Sequence, residues 1–180
     1  MRSFFFALAL LLLHAALAHA DPSRRYMIGL NKRDLWVRPA PSTSSYEARI
    51  KVDDIEPKHK GLHYIWELKP VEGGTRSFEI KNAATGFSIV GYDMNESRLV
   101  AAPGHGSTWD IDQYHNDLFV IRLSGTKLVW TFDHDAAGSG HDSGNIQLRP
   151  LSDETHGQIW KFHLDAHLQD PVEDDDEYWM

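Results

Sequence analysis

Phe78-Glu79-Ile80-Lys81-Asn82, a break at Thr85-Gly86, and then Phe87-Ser88-Ile89 alternate apolar and polar residues on both sides of a turn signal. A period of two marks a half-buried strand, so this stretch predicts a β-hairpin. The pattern recurs upstream as Tyr26-Met27-Ile28-Gly29-Leu30 resuming at Leu35-Trp36-Val37. It recurs downstream as Phe119-Val120-Ile121-Arg122-Leu123 resuming, after Gly125-Thr126-Lys127, at Leu128-Val129-Trp130. In all three the second strand begins seven residues after the aligned isoleucine: Ile28 to Leu35, Ile80 to Phe87, Ile121 to Leu128. A shared offset of this kind is the signature of an internal repeat.

Each copy continues with a third strand, around Ile50, Leu99 and Ile146, and a fourth that carries Trp66, Trp109 or Trp160. The copies span residues 25–68, 77–111 and 118–164, which predicts twelve strands, among them 63–68, 86–91 and 108–113. Helical periodicity is nearly absent after residue 20. Three copies of a four-strand unit suit a closed β structure, which has no strand edge left to pair with another chain. The three tryptophans are read as core, and Trp130 joins them because it aligns with Val37 and Ile89.

This pattern resembles a β-trefoil, and more narrowly the ricin B-chain-like family of lectin domains in its fungal-type form. The residues that carry the resemblance are Gln158-Ile159-Trp160, a Gln-x-Trp, and Asn145-Ile146-Gln147-Leu148 before it. The openings Phe-Glu-Ile-Lys-Asn and Phe-Val-Ile-Arg-Leu are similar to the same family, and the likeness runs over residues 25–164. It implies an all-β, pseudo-threefold β-trefoil that binds carbohydrate without catalysis or a cofactor. Gln158 and Trp160 are read as a structural motif. The family's Gln is replaced by Tyr64 and Ser107 in the first two copies. Its usual sugar-binding Asp is replaced by Trp36, Ser88 and Val129, so a ricin-type galactose site does not carry over.

Sugar recognition needs an apolar surface for the C–H face of a pyranose and planar polar groups for its hydroxyls. The third copy offers that mixture in Phe132, Asp133, His134, Asp135, Asn145 and Gln147, beside the Gly138-Ser139-Gly140 loop. These are the candidate carbohydrate-binding residues. The corresponding places hold Tyr92, Asp93 and Asn95 in the second copy and Trp36 and Arg38 in the first. Asp133-His134-Asp135 with His141-Asp142 has metal-ligating side chains, but it reads better as a solvated polar loop, and no metal is expected.

Composition narrows the function classes. The 180 residues hold 18 Lys and Arg against 26 Asp and Glu, for a net of −8, and no cysteine. Disulfides, thiolate nucleophiles and cysteine-containing metal sites are excluded. Residues 165–180 contain seven acidic side chains and no Lys or Arg, so this tail carries most of the charge and reads as a solvated extension. Without clustered Lys and Arg the chain does not suit nucleic acid. Residues 1–20 begin with Arg2, continue through an apolar run and end Ala18-His19-Ala20, the three parts of a secretory signal peptide. The remainder, with the trefoil body at 21–164, is expected to be secreted, with no membrane span. Asn95-Glu96-Ser97 is an N-glycosylation sequon.

There is no Gly-x-Ser-x-Gly, His-Glu-x-x-His or Walker-type glycine loop. The chain is therefore read as a binder, with a glycan or glycoprotein as partner. The alternative is a secreted protease inhibitor of mycocypin-like type, using a loop at 31–34 or 72–76. A trefoil interaction module that has lost sugar binding is the third reading.

Overall fold

Alternating apolar side chains leave one face of each strand to be buried, and here every strand finds its neighbour by antiparallel pairing. The computed structural model describes residues 25–31, 33–40, 47–54, 61–72, 76–92, 98–133, 144–153 and 157–164. The predicted signal segment, the acidic tail, Asn95, His134, Asp135 and the glycine loop at 138–140 lie outside the described residues.

The described chain is all-β. Its strands are β1 (Arg25–Leu30), β2 (Leu35–Pro39), β3 (Ala48–Asp54), β4 (Ile65–Pro70), β5 (Ser77–Asn82) and β6 (Ser88–Gly91). They continue as β7 (Leu99–Ala102), β8 (Trp109–His115), β9 (Leu118–Leu123), β10 (Leu128–Asp133), β11 (Gly144–Pro150) and β12 (Trp160–Leu164). Strands β1, β4, β5, β8, β9 and β12 pair in sequence around a closed ring, because β12 returns to β1. The remaining strands form the hairpins β2–β3, β6–β7 and β10–β11, each joined to the ring by its first strand. Strand β3 pairs with both β7 and β11, which brings the hairpins together. Among the described residues no helix is long and apolar enough to cross a membrane.

The interior is built on four tryptophans. Trp66, Trp109, Trp130 and Trp160 are all fully buried. Three of them donate their indole N–H to a main-chain carbonyl: Trp66 to Val37 at 2.9 Å, Trp109 to Ile89 at 3.2 Å and Trp160 to Trp130 at 3.2 Å. Val37, Ile89 and Trp130 are the residues that the seven-residue offset aligns. Each of these tryptophans thus bonds to the residue so aligned, which satisfies the polar edge of a ring sealed in apolar surroundings. Trp130 packs edge-on against both Trp109 and Trp160, with ring centres 5.5 and 5.8 Å apart.

Among the strand boundaries that differ from the sequence expectation, three are instructive. The strand expected from residue 63 starts at Ile65, after a 3-10 turn over Leu62–Tyr64. The fully buried Asn82 amide donates to the His63 and Ile65 carbonyls, at 2.8 and 3.2 Å, and so caps the turn from across the sheet. The strand expected from residue 86 starts at Ser88, because Gly86 takes φ +69° in the turn. Strand β8 runs past Gln113 to His115 through a bulge between those two residues.

Candidate functional site

Side chains of directly opposed residues in an antiparallel pair stand on the same face. The β10–β11 register opposes Val129 to Arg149, Thr131 to Gln147 and Asp133 to Asn145. These six share the face of the hairpin turned away from the central core, buried at Val129 and Thr131 and open toward Arg149, Gln147, Asp133 and Asn145. Trp130 opposes Leu148 and Phe132 opposes Ile146, on the face turned to the core. The sequence candidates are therefore divided: Asp133, Asn145 and Gln147 come together, whereas Phe132 packs half-buried against the core cluster. Strand alternation carried this signal, since Phe132 lies two residues beyond Trp130 and must share its side.

Gly144 permits the close start of β11. A Cβ there would lie 2.5 Å from the Asp133 carbonyl oxygen and 2.6 Å from the Phe132 ring, distances that no side chain tolerates. Strand β11 consequently begins hard against Asp133, which sets Asn145 directly across from it.

Arg149 links the polar row. Its guanidinium donates to the Gln147 Oε1, with nitrogens at 2.9 and 3.2 Å, and to the Asp133 carboxylate at 3.1 Å. The Asp133 side chain is 13% exposed while that of Arg149 is 52% exposed, so the acid is held and the guanidinium remains reachable. Held in this way, the three groups present carboxylate, amide and guanidinium edges at fixed angles, the donor and acceptor set that hydroxyl recognition uses. Arg149 was missed by the sequence reading, although its spacing from Gln147 along a strand was the available signal.

Gln158 plays a structural part. It is 3% exposed and ties the end of the third copy to its hairpin. Its amide nitrogen donates to the Thr131 hydroxyl at 2.9 Å and the Pro150 carbonyl at 3.0 Å, and its Oε1 accepts from the Ser152 N–H at 2.9 Å. In the second copy the aligned Ser107 hydroxyl accepts from the Gly91 N–H at 3.0 Å. In the first copy the aligned Tyr64 meets Arg38, which also pairs with Asp53. Burial pushes the Tyr64 hydroxyl above its ordinary pKa of 10.0, with Asp53 acting the same way and Arg38 against it.

Two depressions lie at the surface among the described residues. One, of about 370 Å³, is lined by Arg49, Ile50, Arg98, Leu99, Asn145, Ile146 and Gln147, and so adjoins the polar row. The other, of about 210 Å³, lies by Trp36 with Asp34, Lys161 and His163. Gly29 makes room there, since a Cβ would come within 3.0 Å of the Trp36 ring. Trp36 is only 8% exposed, so it offers little face for stacking. Among the described residues no group of His, Asp and Glu gathers as metal ligands.

The chain is similar in structure to a designed threefold-symmetric protein, ThreeFoil, at 14% identity and a TM-score of 0.63 over 78% of this chain and 98% of that one. It is similar to the Macrolepiota procera ricin B-like lectin solved with lactose, at 18% identity and a TM-score of 0.57 over 77% and 93%. It is also similar to a proteinase inhibitor from Coprinopsis cinerea, at 16% identity and a TM-score of 0.56 over 77% and 94%. No protein-family model and no curated protein matches the chain by sequence. The likeness to these structures establishes the fold as that of the β-trefoil proteins.

Proposed function

We propose that the protein is a secreted, non-catalytic β-trefoil of three four-stranded repeats that binds a glycan through its third repeat. The observation that carries this reading is the outer face of β10–β11, where Arg149 bridges Asp133 and Gln147 and Asn145 stands opposite Asp133. His134 and Asp135 follow Asp133 in the chain and extend the same polar set. In this reading residues 1–20 direct export and are removed, Asn95 carries a glycan, and nucleic acid is not a partner.

The test is a glycan array with the chain from Asp21 onward, followed by titration of whichever glycan binds. A hydrogen bond between neutral groups contributes about 0.5–1.5 kcal/mol, so Gln147→Ala and His134→Ala should each weaken binding by roughly two- to tenfold with little change in melting temperature. An array with no bound glycan at high protein concentration refutes the reading and favours a trefoil that acts through protein contacts.

The fold shared with a proteinase inhibitor supports a second reading, inhibition through an exposed loop. The turn between β1 and β2 carries Arg33 and Asp34, both exposed. Inhibition of a papain-like or trypsin-like protease that is lost in Arg33→Ala would establish it.

A further inference from the structure

The polar row leaves the larger depression beside it unexplained. Strands β3, β7 and β11 meet in a closed cycle of pairs, in which Arg49 faces Val100, Arg98 faces Gln147 and Asn145 faces Lys51. Opposed residues share a face, so Arg49, Arg98, Lys51, Asn145 and Gln147 stand together. Ile50, Leu99 and Ile146, which alternate with them, are 1–2% exposed and point the other way. The cycle encloses the cup of about 370 Å³. That volume falls near the lower end of small-ligand sites, roughly 300–1,000 Å³.

Two features of the cup point to its ligand. The first is positive charge in a chain that is acidic overall. Arg49 is exposed at the rim. The Arg98 guanidinium is steadied over the Tyr92 ring at 5.4 Å and lies 3.6 Å from the Glu47 carboxylate. Among the described residues that line the cup the charged side chains are Arg49 and Arg98, both cations; with Glu47 against Arg98 one positive charge is in excess, and an oxyanion would balance it. The second feature is the pair of amides that line the cup from β11, Asn145 and Gln147. An amide offers both donors and an acceptor, and an anion alone has no donor to give in return. A sugar hydroxyl gives and accepts.

From these two features the geometry points to an acidic saccharide as the ligand of this cup. Arg49 and Arg98 receive its carboxylate or sulfate, and Asn145 and Gln147 receive its ring hydroxyls. The inference rests on the glycan-binding reading above and names the class of glycan. Arginine suits the role because its planar fork meets an oxyanion with two parallel hydrogen bonds.

The experiment is a titration of the protein from Asp21 onward, followed by NMR, with four probes: a galacturonic acid trisaccharide, a 6-sulfated galactose trisaccharide, the neutral galactose trisaccharide and inorganic sulfate. At least one acidic trisaccharide should bind at least tenfold more tightly than the neutral one, and the tighter of the two distinguishes carboxylate from sulfate. Arg49→Gln should abolish that preference at unchanged melting temperature, and Arg49→Lys should restore part of it. Arg98→Gln supplies the same test from the other side of the cup. Equal binding of neutral and acidic trisaccharides overturns the inference while the glycan reading stands. Binding of inorganic sulfate without either acidic trisaccharide overturns it too. If no saccharide binds here or on the array, both readings fall together.

Discussion

Replacing Gln158 tests what the Gln-x-Trp does in this chain. The side chain is 3% exposed and makes three hydrogen bonds, to Thr131, Pro150 and Ser152. Each intramolecular hydrogen bond contributes about 0.5–1.5 kcal/mol net, so three set a scale of about 3 kcal/mol. Two considerations lower that figure for Gln158→Ala. Pro150 and Ser152 are exposed, and water can take over the groups left behind. Thr131 keeps a second bond, its hydroxyl donating to the Val129 carbonyl at 3.2 Å. Deleting the buried Cγ methylene works in the opposite direction and adds about 1 kcal/mol. The expected cost is therefore about 2–3 kcal/mol. Gln158→Met preserves the volume and removes only the hydrogen bonds, so it should cost about 1–2 kcal/mol. Urea unfolding followed by far-UV circular dichroism measures both. A Gln158→Ala protein within about 0.5 kcal/mol of wild type, the range of a neutral surface substitution, would refute the bracing role. Loss of glycan binding without loss of stability would assign Gln158 to the ligand.

Three further outcomes follow from the core and its edges. Trp160→Ala should cost about 3–5 kcal/mol, whereas Trp160→Phe, which keeps a ring but loses the N–H to Trp130, should cost about 1–2 kcal/mol; thermal unfolding by calorimetry orders the pair. Gly91→Ala would place a Cβ 2.7 Å from the Trp109 ring and 3.1 Å from Leu148. Overpacking of that kind costs about 1–3 kcal/mol and should appear as a lower urea midpoint. Tyr64 has its pKa raised by burial, so the unfolded chain loses that proton first as the pH rises. Its contribution to stability is whole below pH 10.0 and disappears as the pH climbs through the higher folded value. Tyr64→Phe should flatten this alkaline fall in urea titrations, and an unchanged slope would contradict the assignment.

The all-β class was legible in the chain because it rests on local patterning. Alternation within each strand and the recurring tryptophan context need no knowledge of distant contacts. The indole N–H bonds to Val37, Ile89 and Trp130 show that the seven-residue alignment pairs structurally equivalent positions. The outward row at Asp133, Asn145 and Gln147 was legible for the same reason. Phe132 was placed with the ligand candidates because it lies beyond the aligned core residues, yet alternation alone assigns it to Trp130's side. The start of β4 was harder to read, since Asn82 caps the preceding turn from another strand.

The arginines of the cup mark the boundary between the two kinds of information. Arg49 and Arg98 each precede an aligned core residue, just as Asn145 does, and so their equivalence lies in the chain itself. Their convergence does not. It depends on β3 pairing with both β7 and β11, contacts between segments far apart in sequence. Alternation decides which side of a strand a residue takes, because the geometry of the peptide unit is local. Which strands become neighbours is decided by burying all of those apolar faces at once around four tryptophans. That collective closure sets Arg49, Arg98, Asn145 and Gln147 around one cup.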